Sequence, residues 1–216
     1  MSVTTEPTDA ELLERIATGD REALAVVFRR HHATVYRFNR QMLGSIEAAE
    51  DVTQDVFVAL TKSAARFDPA VASLSTYLYG IARNLVLQYY KRSRARFEVN
   101  IDAVAGEDET SLAISNDPAD SLARAQATRE LRLAILRLPV HYREIVVLCE
   151  LNGLSYEDAA SIVGCPIGTV RSRLSRARQM LIERCRAIFA VNITDRAEVR
   201  GQRATKRWLI PTKNNC

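Results

Sequence analysis

The chain has 216 residues, 47% of them hydrophobic and only 6% aromatic, with eight glycines and a net charge of +4. That suffices for one large core or two small ones, and a sequence rich in Ala, Leu, Arg and Glu argues for an almost wholly helical protein and against a β one. No run of about 18 apolar residues could cross a membrane, no secretion signal opens the chain, and Cys149, Cys165, Cys185 and Cys216 form no C-x-x-C pair. The expectation is therefore a cytoplasmic protein with reduced thiols, no zinc site and no cofactor.

Taken in chain order, Thr8-x-x-Glu11 reads as a capping box opening a first helix that stops at Gly19. Asp20 caps a second helix to about Leu43, with Leu24, Val27, Phe28, Val35, Phe38 and Met42 as its apolar stripe. His31 and His32 within it read as core or interface histidines rather than metal ligands. Gly44 ends that helix and Ser45 caps a third, reaching about Ala64. Asp68-Pro69 marks a loop from Arg66 to Ser73, and a fourth helix runs from about Ser75 to Phe97, expected to bury Leu74, Leu78, Ile81 and Leu85. These helices make a first domain, residues 8–97.

Residues 98–117 lack a helical stripe and read as a flexible linker. The second domain, residues 118–190, opens near Pro118 with a helix from Ala119 to Arg137, and Pro139 starts another that ends at Asn152-Gly153. Ser155-x-x-Asp158 caps a short helix to Val163, Gly164 closes it, Pro166 turns the chain, and a longer helix begins near Gly168. A short helix, a tight turn and a second amphipathic helix form a helix-turn-helix signature. Residues 191–216 read as an irregular basic tail, expected to be disordered.

Charge is distributed in blocks. Arg83–Arg96 contains five basic residues and no acid, Glu98–Asp120 seven acids and no base, and Gly168–Arg186 six arginines against Glu183 alone. Two basic binding surfaces joined by an acidic tether fit this alternation. On the last helix Val170, Leu174, Ala177 and Leu181 make a buried stripe. Thr169, Arg171, Ser172, Arg173, Ser175, Arg176 and Gln179 are left outside it, as a helix entering a major groove requires.

The string from Leu154 to Leu181 resembles the domain-4 helix-turn-helix of the extracytoplasmic-function sigma factors, and Leu138-Pro139-x-x-x-Arg143-Glu144 matches the segment that precedes it. The resemblance implies that Thr169, Arg171, Ser172, Arg173, Ser175 and Arg176 contact the −35 promoter element. Cys165 stands at a turn position where the family has a small apolar residue, and a packed thiol is expected. In the first domain Ala49–Phe57 resembles the region that docks on the polymerase clamp. Glu47, Glu50, Asp51, Gln54 and Asp55 would form its outer face, with Val52, Val56 and Leu60 turned inward. Ala82-Arg83-Asn84-Leu85 is similar to a family hallmark for the −10 element. With Tyr77, Gln88 and Lys91, Arg83 and Asn84 form the expected −10 set, and Tyr77, Asn84, Gln88 and Lys91 recur on one helix face suited to single-stranded DNA. The loop from Arg66 to Ser75 corresponds to the family's pocket for a flipped base.

Two departures touch specificity: Tyr77 stands where Trp is common, and Gln88-Tyr89-Tyr90-Lys91-Arg92 replaces an Asp followed by a basic cluster. The implied partners are core RNA polymerase, promoter DNA and an anti-sigma factor, with no membrane insertion, and the implied acidic linker threads polymerase's RNA path. No catalytic activity is expected: neither a phosphate-binding G-x-x-x-x-G-K-[ST] nor a carboxylate cluster for metals occurs in the basic regions. The rival reading is a helix-turn-helix regulator without sigma activity, which would not account for the acidic face or the Ala82-Arg83-Asn84 helix.

Overall fold

The computed structural model describes the backbone of residues 6–94 and 118–205, with side chains over 6–93 and 124–186. All regular structure among the described residues is helical. The first unit comprises α1 (Asp9–Ala17), α2 (Arg21–Leu43), α3 (Ile46–Ser63), a single 3-10 turn (Ala64–Arg66) and α4 (Leu74–Arg94). The expected linker lies outside the described residues. The second unit comprises α5 (Pro118–Leu136), α6 (Val140–Ile145), a π-helical turn (Val146–Leu151), α7 (Tyr156–Val163) and α8 (Ile167–Thr205).

Local chemistry sets the boundaries. Thr8 and Glu11 form the expected capping box, the Glu11 carboxylate accepting from the Thr8 amide at 2.8 Å. Asp20 accepts from the amides of Glu22 and Ala23, and these bonds hold its carboxyl below the usual range, the Ala23 amide contributing most. Gly44 adopts φ 77°, the left-handed conformation that ends α2, and Ser45 at once caps α3. Asp68 turns the loop by accepting from the Ala70 amide at 2.9 Å, and Ser73 caps the start of α4 through the Thr76 amide.

Four departures from expectation have physical causes. Phe28 lies 39% exposed rather than in the core, because Ala23, Val27 and Val35 already occupy the inner face of α2. It packs instead against His32 and Phe57, with ring centroids 4.6 and 4.8 Å away. On α4 the buried apolar positions are Leu74, Leu78, Tyr79, Ala82 and Val86, whereas Ile81 and Leu85 are only half-buried. The helix expected between Pro139 and Gly153 widens into a π turn, where the Asn152 amide bonds the Val147 carbonyl five residues back. The widening lets Glu144, Ile145, Val146, Val147 and Leu148 all be buried in succession, more than one α-helical stripe permits. Finally, α8 continues to Thr205 instead of ending near Ala190. Residues 187–205 contain no proline, so no ring interrupts the helical hydrogen bonds there. Residues 206–216 of the expected tail lie outside the described residues.

In the first unit α2 packs on α1, α3 and α4, and in the second α8 packs on α5, α6 and α7. The two units also pack on each other, α4 against α7 and α2 against α5 and the π turn, so that one contiguous apolar cluster runs through both. Arg143 joins them. Its guanidinium donates to the Met42 carbonyl (2.7 Å), to the Tyr90 hydroxyl (2.6 Å) and to the carbonyls of Leu138 and Leu136. Tyr90 in turn donates to the same Met42 carbonyl. Burial lowers the Arg143 pKa and raises that of Tyr90, the hydrogen bond between them opposing both shifts.

Two polar devices in these cores are open to test. Asn39 and Thr53 are both buried, and the Thr53 hydroxyl accepts from the Asn39 amide at 2.9 Å while donating to the Ala49 carbonyl at 2.6 Å. Thr53→Val keeps the shape but strands the Asn39 amide, and should cost about 1–3 kcal/mol. Adding Asn39→Leu should recover much of that loss in urea unfolding. Arg143→Lys cannot reproduce a planar fork serving four acceptors; we expect a loss of about 1.5–3 kcal/mol in the same assay.

Candidate nucleic-acid interface

The helix-turn-helix forms as its residues dictate. Ser155 caps α7, accepting from the Asp158 amide at 3.0 Å, and Gly164 closes the helix at φ 72°. Cys165 is half-buried against the core. Val170, Leu174 and Ala177 are buried, which fixes the roll of α8 about its axis. With that roll set, Arg171, Ser172, Ser175, Arg176 and Gln179 are exposed and Thr169 is half-buried. Ser172 also back-bonds to the Thr169 carbonyl at 3.0 Å, which orients its hydroxyl. An array of guanidinium, hydroxyl and amide donors over an apolar stripe can reach base edges and phosphates together.

Arg173 does not join that open array. Its side chain is 29% exposed, and its Nη1 lies 3.5 Å from the carboxylate of Glu144, a side chain only 3% exposed. On α4, Asn84, Gln88 and Lys91 are exposed along one face. Tyr77 stands partly apart from them. Its hydroxyl donates to the Ser63 carbonyl at 3.1 Å, and its ring meets Phe67 edge-on at 5.5 Å, tying the 66–73 loop to the start of α4. Arg83 points the other way, 17% exposed, its Nε donating to Glu144 Oε2 at 2.8 Å. Of the expected −10 set, then, three side chains share an open face, one is half-buried at its edge and one turns inward.

The α3 face is as expected: Glu47, Glu50, Asp51, Gln54 and Asp55 are all exposed while Val52, Val56 and Leu60 are buried. Among the described residues no ion pair engages these carboxylates. His31 lies 3.4 Å from Asp9 and His32 stacks in the Phe28–Phe57 cluster, so both histidines are held by neighbouring helices. No helix among the described residues is long and apolar enough to cross a membrane.

Sequence reasoning did not single out Glu144 as a contact between units, nor Asn152, which donates to Gln41 at 2.9 Å and accepts from the Tyr79 hydroxyl at 3.3 Å. The available signal was the adjacent Arg143-Glu144 pair set directly against the apolar run Ile145–Leu148, since charges there must find partners.

Comparison with known proteins places the chain in a family. The sigma-70 region 2 family matches residues 27–96 and the sigma-70 region 4 family residues 128–181. The chain is 34% identical to the ECF RNA polymerase sigma factor SigE of Mycolicibacterium smegmatis over 183 residues, 82% of this chain and 67% of that protein. It is also 34% identical to SigM of Mycobacterium tuberculosis over 178 residues, 82% of this chain and 84% of that one. Among solved structures, the sigma factor RpoE in complex with the anti-sigma factor NepR from Bartonella quintana matches at TM-score 0.55 and 29% identity, covering 75% of this chain and 96% of that one. CnrH in complex with the cytosolic domain of CnrY shares the fold at TM-score 0.60 and 23% identity, over 83% of this chain and 97% of that one. One region 2 match on the first helical unit and one region 4 match on the second, with relatives this similar along most of their length, lead to one conclusion: the chain belongs to the extracytoplasmic-function family of RNA polymerase sigma factors.

Proposed function

We propose that the chain binds core RNA polymerase through the acidic face of α3 and directs it to promoters, α8 reading the −35 duplex and α4 capturing single-stranded bases of the −10 element. Sigma factors are initiation factors and not enzymes, so the binding energies must supply the mechanism. Opening duplex DNA costs about 1.4 kcal/mol per base-pair step in lost stacking. Each base stacked on an aromatic ring returns about 1–3 kcal/mol, so trapping one or two transiently open bases is enough to start a bubble. Asn84, Gln88 and Lys91 supply amides and a cation for this, with the Tyr77 ring at their edge.

The observation that carries the reading is the exposed donor array Arg171, Ser172, Ser175 and Arg176 above the buried Val170–Leu174–Ala177 stripe. Glu47, Glu50, Asp51 and Asp55 offer a basic partner helix an acidic surface that no ion pair among the described residues engages. A regulator without sigma activity leaves that surface, and the region 2 match over residues 27–96, without a purpose. An anti-sigma factor is the proposed regulatory partner, since RpoE was solved bound to one.

Run-off transcription with purified core polymerase tests the whole reading. Arg176→Ala should reduce −35-dependent initiation about tenfold or more, a bidentate base contact being worth about 1–3 kcal/mol, and should leave core binding unchanged in gel filtration. An equal loss of core binding would overturn the assignment of α8. Asn84→Ala should slow open-complex formation on duplex promoters but have little effect on pre-melted templates; equal slowing on both would remove α4 from the melting step.

A further inference from the structure

Six arginines stand on α8 between Gly168 and Arg186, and two of them have carboxylate partners among the described residues. Arg173 Nη1 lies 3.5 Å from Glu144 Oε1, and Arg178 Nη2 pairs with Glu150 Oε1. Both carboxylates come from α6 and the π turn that continues it, and α6 packs on α8.

The two paired arginines occupy particular places on the helix. At about 100° per residue, Arg173 and Arg178 fall about 70° to either side of the buried Val170–Leu174–Ala177 stripe. Ser172, Ser175, Arg176 and Gln179 lie on the far side, the one a groove-entering helix turns to the bases. Burial of the stripe is non-directional, whereas an ion pair at each edge resists rotation about the helix axis. The Glu144 side chain is 3% exposed, and Arg173 is the cation that its own unit supplies. A buried carboxylate robbed of a partner is costly, so a roll of α8 that withdrew Arg173 would be opposed. The contact is also end-on, with one Nη1 facing one oxygen, so it uses the charge of Arg173 and not its planar fork.

We infer that Arg173 is a positioning residue and not a DNA contact: braced by Glu144, and seconded by the Arg178–Glu150 pair, it fixes the roll at which α8 offers Arg171, Ser172, Ser175 and Arg176 to the −35 bases. The inference rests on the proposed assignment of α8 to that element. It divides the arginines of the helix into those that meet DNA and those that aim them. The Arg178–Glu150 pair has side chains 55% and 41% exposed, and exposed pairs contribute little. Most of the bracing therefore falls to Glu144 and Arg173.

Holoenzyme assembled from the full chain and core polymerase tests this on two promoter fragments, one with an intact −35 element and one with that element scrambled. Affinity is read by fluorescence anisotropy over a series of salt concentrations. An arginine that neutralises a phosphate contributes about 0.9 to the slope of log affinity against log salt. Arg171→Gln should lower the slope by about that amount, whereas Arg173→Gln and Arg178→Gln should leave it unchanged. Arg173→Gln should nevertheless reduce discrimination between the fragments about fivefold, the low end of one bidentate base contact. Arg173→Lys should retain that discrimination, because a point cation still pairs with Glu144. If Arg173→Gln fails to fold by circular dichroism, Arg173→Lys and Arg178→Gln decide the question. A slope that falls with Arg173→Gln or Arg178→Gln as it does with Arg171→Gln, discrimination untouched by Arg173→Gln, or discrimination lost in Arg173→Lys would each overturn the brace. If wild-type holoenzyme does not distinguish the fragments, the assignment of α8 to the −35 element fails; if it does and Arg173 behaves as a DNA contact, the brace alone fails.

Discussion

A carboxylate as deeply buried as that of Glu144 must be given cations, because an isolated charge in a packed interior costs far more than folding can supply. The chain provides them from two helices distant in sequence: Arg173 of α8 lies within the same unit, and Arg83 of α4 ties the first unit to the second. Arg143, one residue earlier, faces the mirror problem of a cation beside an apolar run, and is met by carbonyls and a hydroxyl. The adjacent pair thus directs two polar networks outward from one short helix. The π turn that follows supplies the compensating apolar surface, burying Val146, Val147 and Leu148 in succession.

Charge separation does comparable work on the outer surface. The acidic residues of α3 and the basic ones of α8 lie on different helices of different units, so each surface can attract its own partner rather than its opposite number. Buried stripes enforce the separation. Val52, Val56 and Leu60 set the roll of α3, and Val170, Leu174 and Ala177 that of α8, so the polar faces follow from the packing beneath them.

Much of this was legible in the sequence because it is local. Caps at Thr8, Asp20, Ser45 and Ser155 and stops at Gly44 and Gly164 depend on neighbours within one turn, and the α8 stripe depends on a 3.6-residue period. Phe28 departs from its stripe because period alone cannot say how much of that stripe the smaller Ala23 and Val27 will fill. The π turn was invisible for a related reason, since a run of five buried residues has no period. In the sequence Arg83 and Arg173 stand out only as DNA contacts, because their shared partner lies 61 residues from one and 29 from the other. No spacing rule carries information that far.

The acceptors used by Arg143 have a consequence for how such a junction can change over time. Three of its four partners, at Met42, Leu136 and Leu138, are main-chain carbonyls, and only the Tyr90 hydroxyl belongs to a side chain. A carbonyl survives any substitution at its own position. Residues 42, 136 and 138 can therefore drift among apolar types without erasing the contact, and heritable control over it is concentrated in Arg143 and Tyr90. The junction is robust on one side and brittle on the other, an asymmetry that would let related chains keep the same docking geometry while the sequences around it diverge.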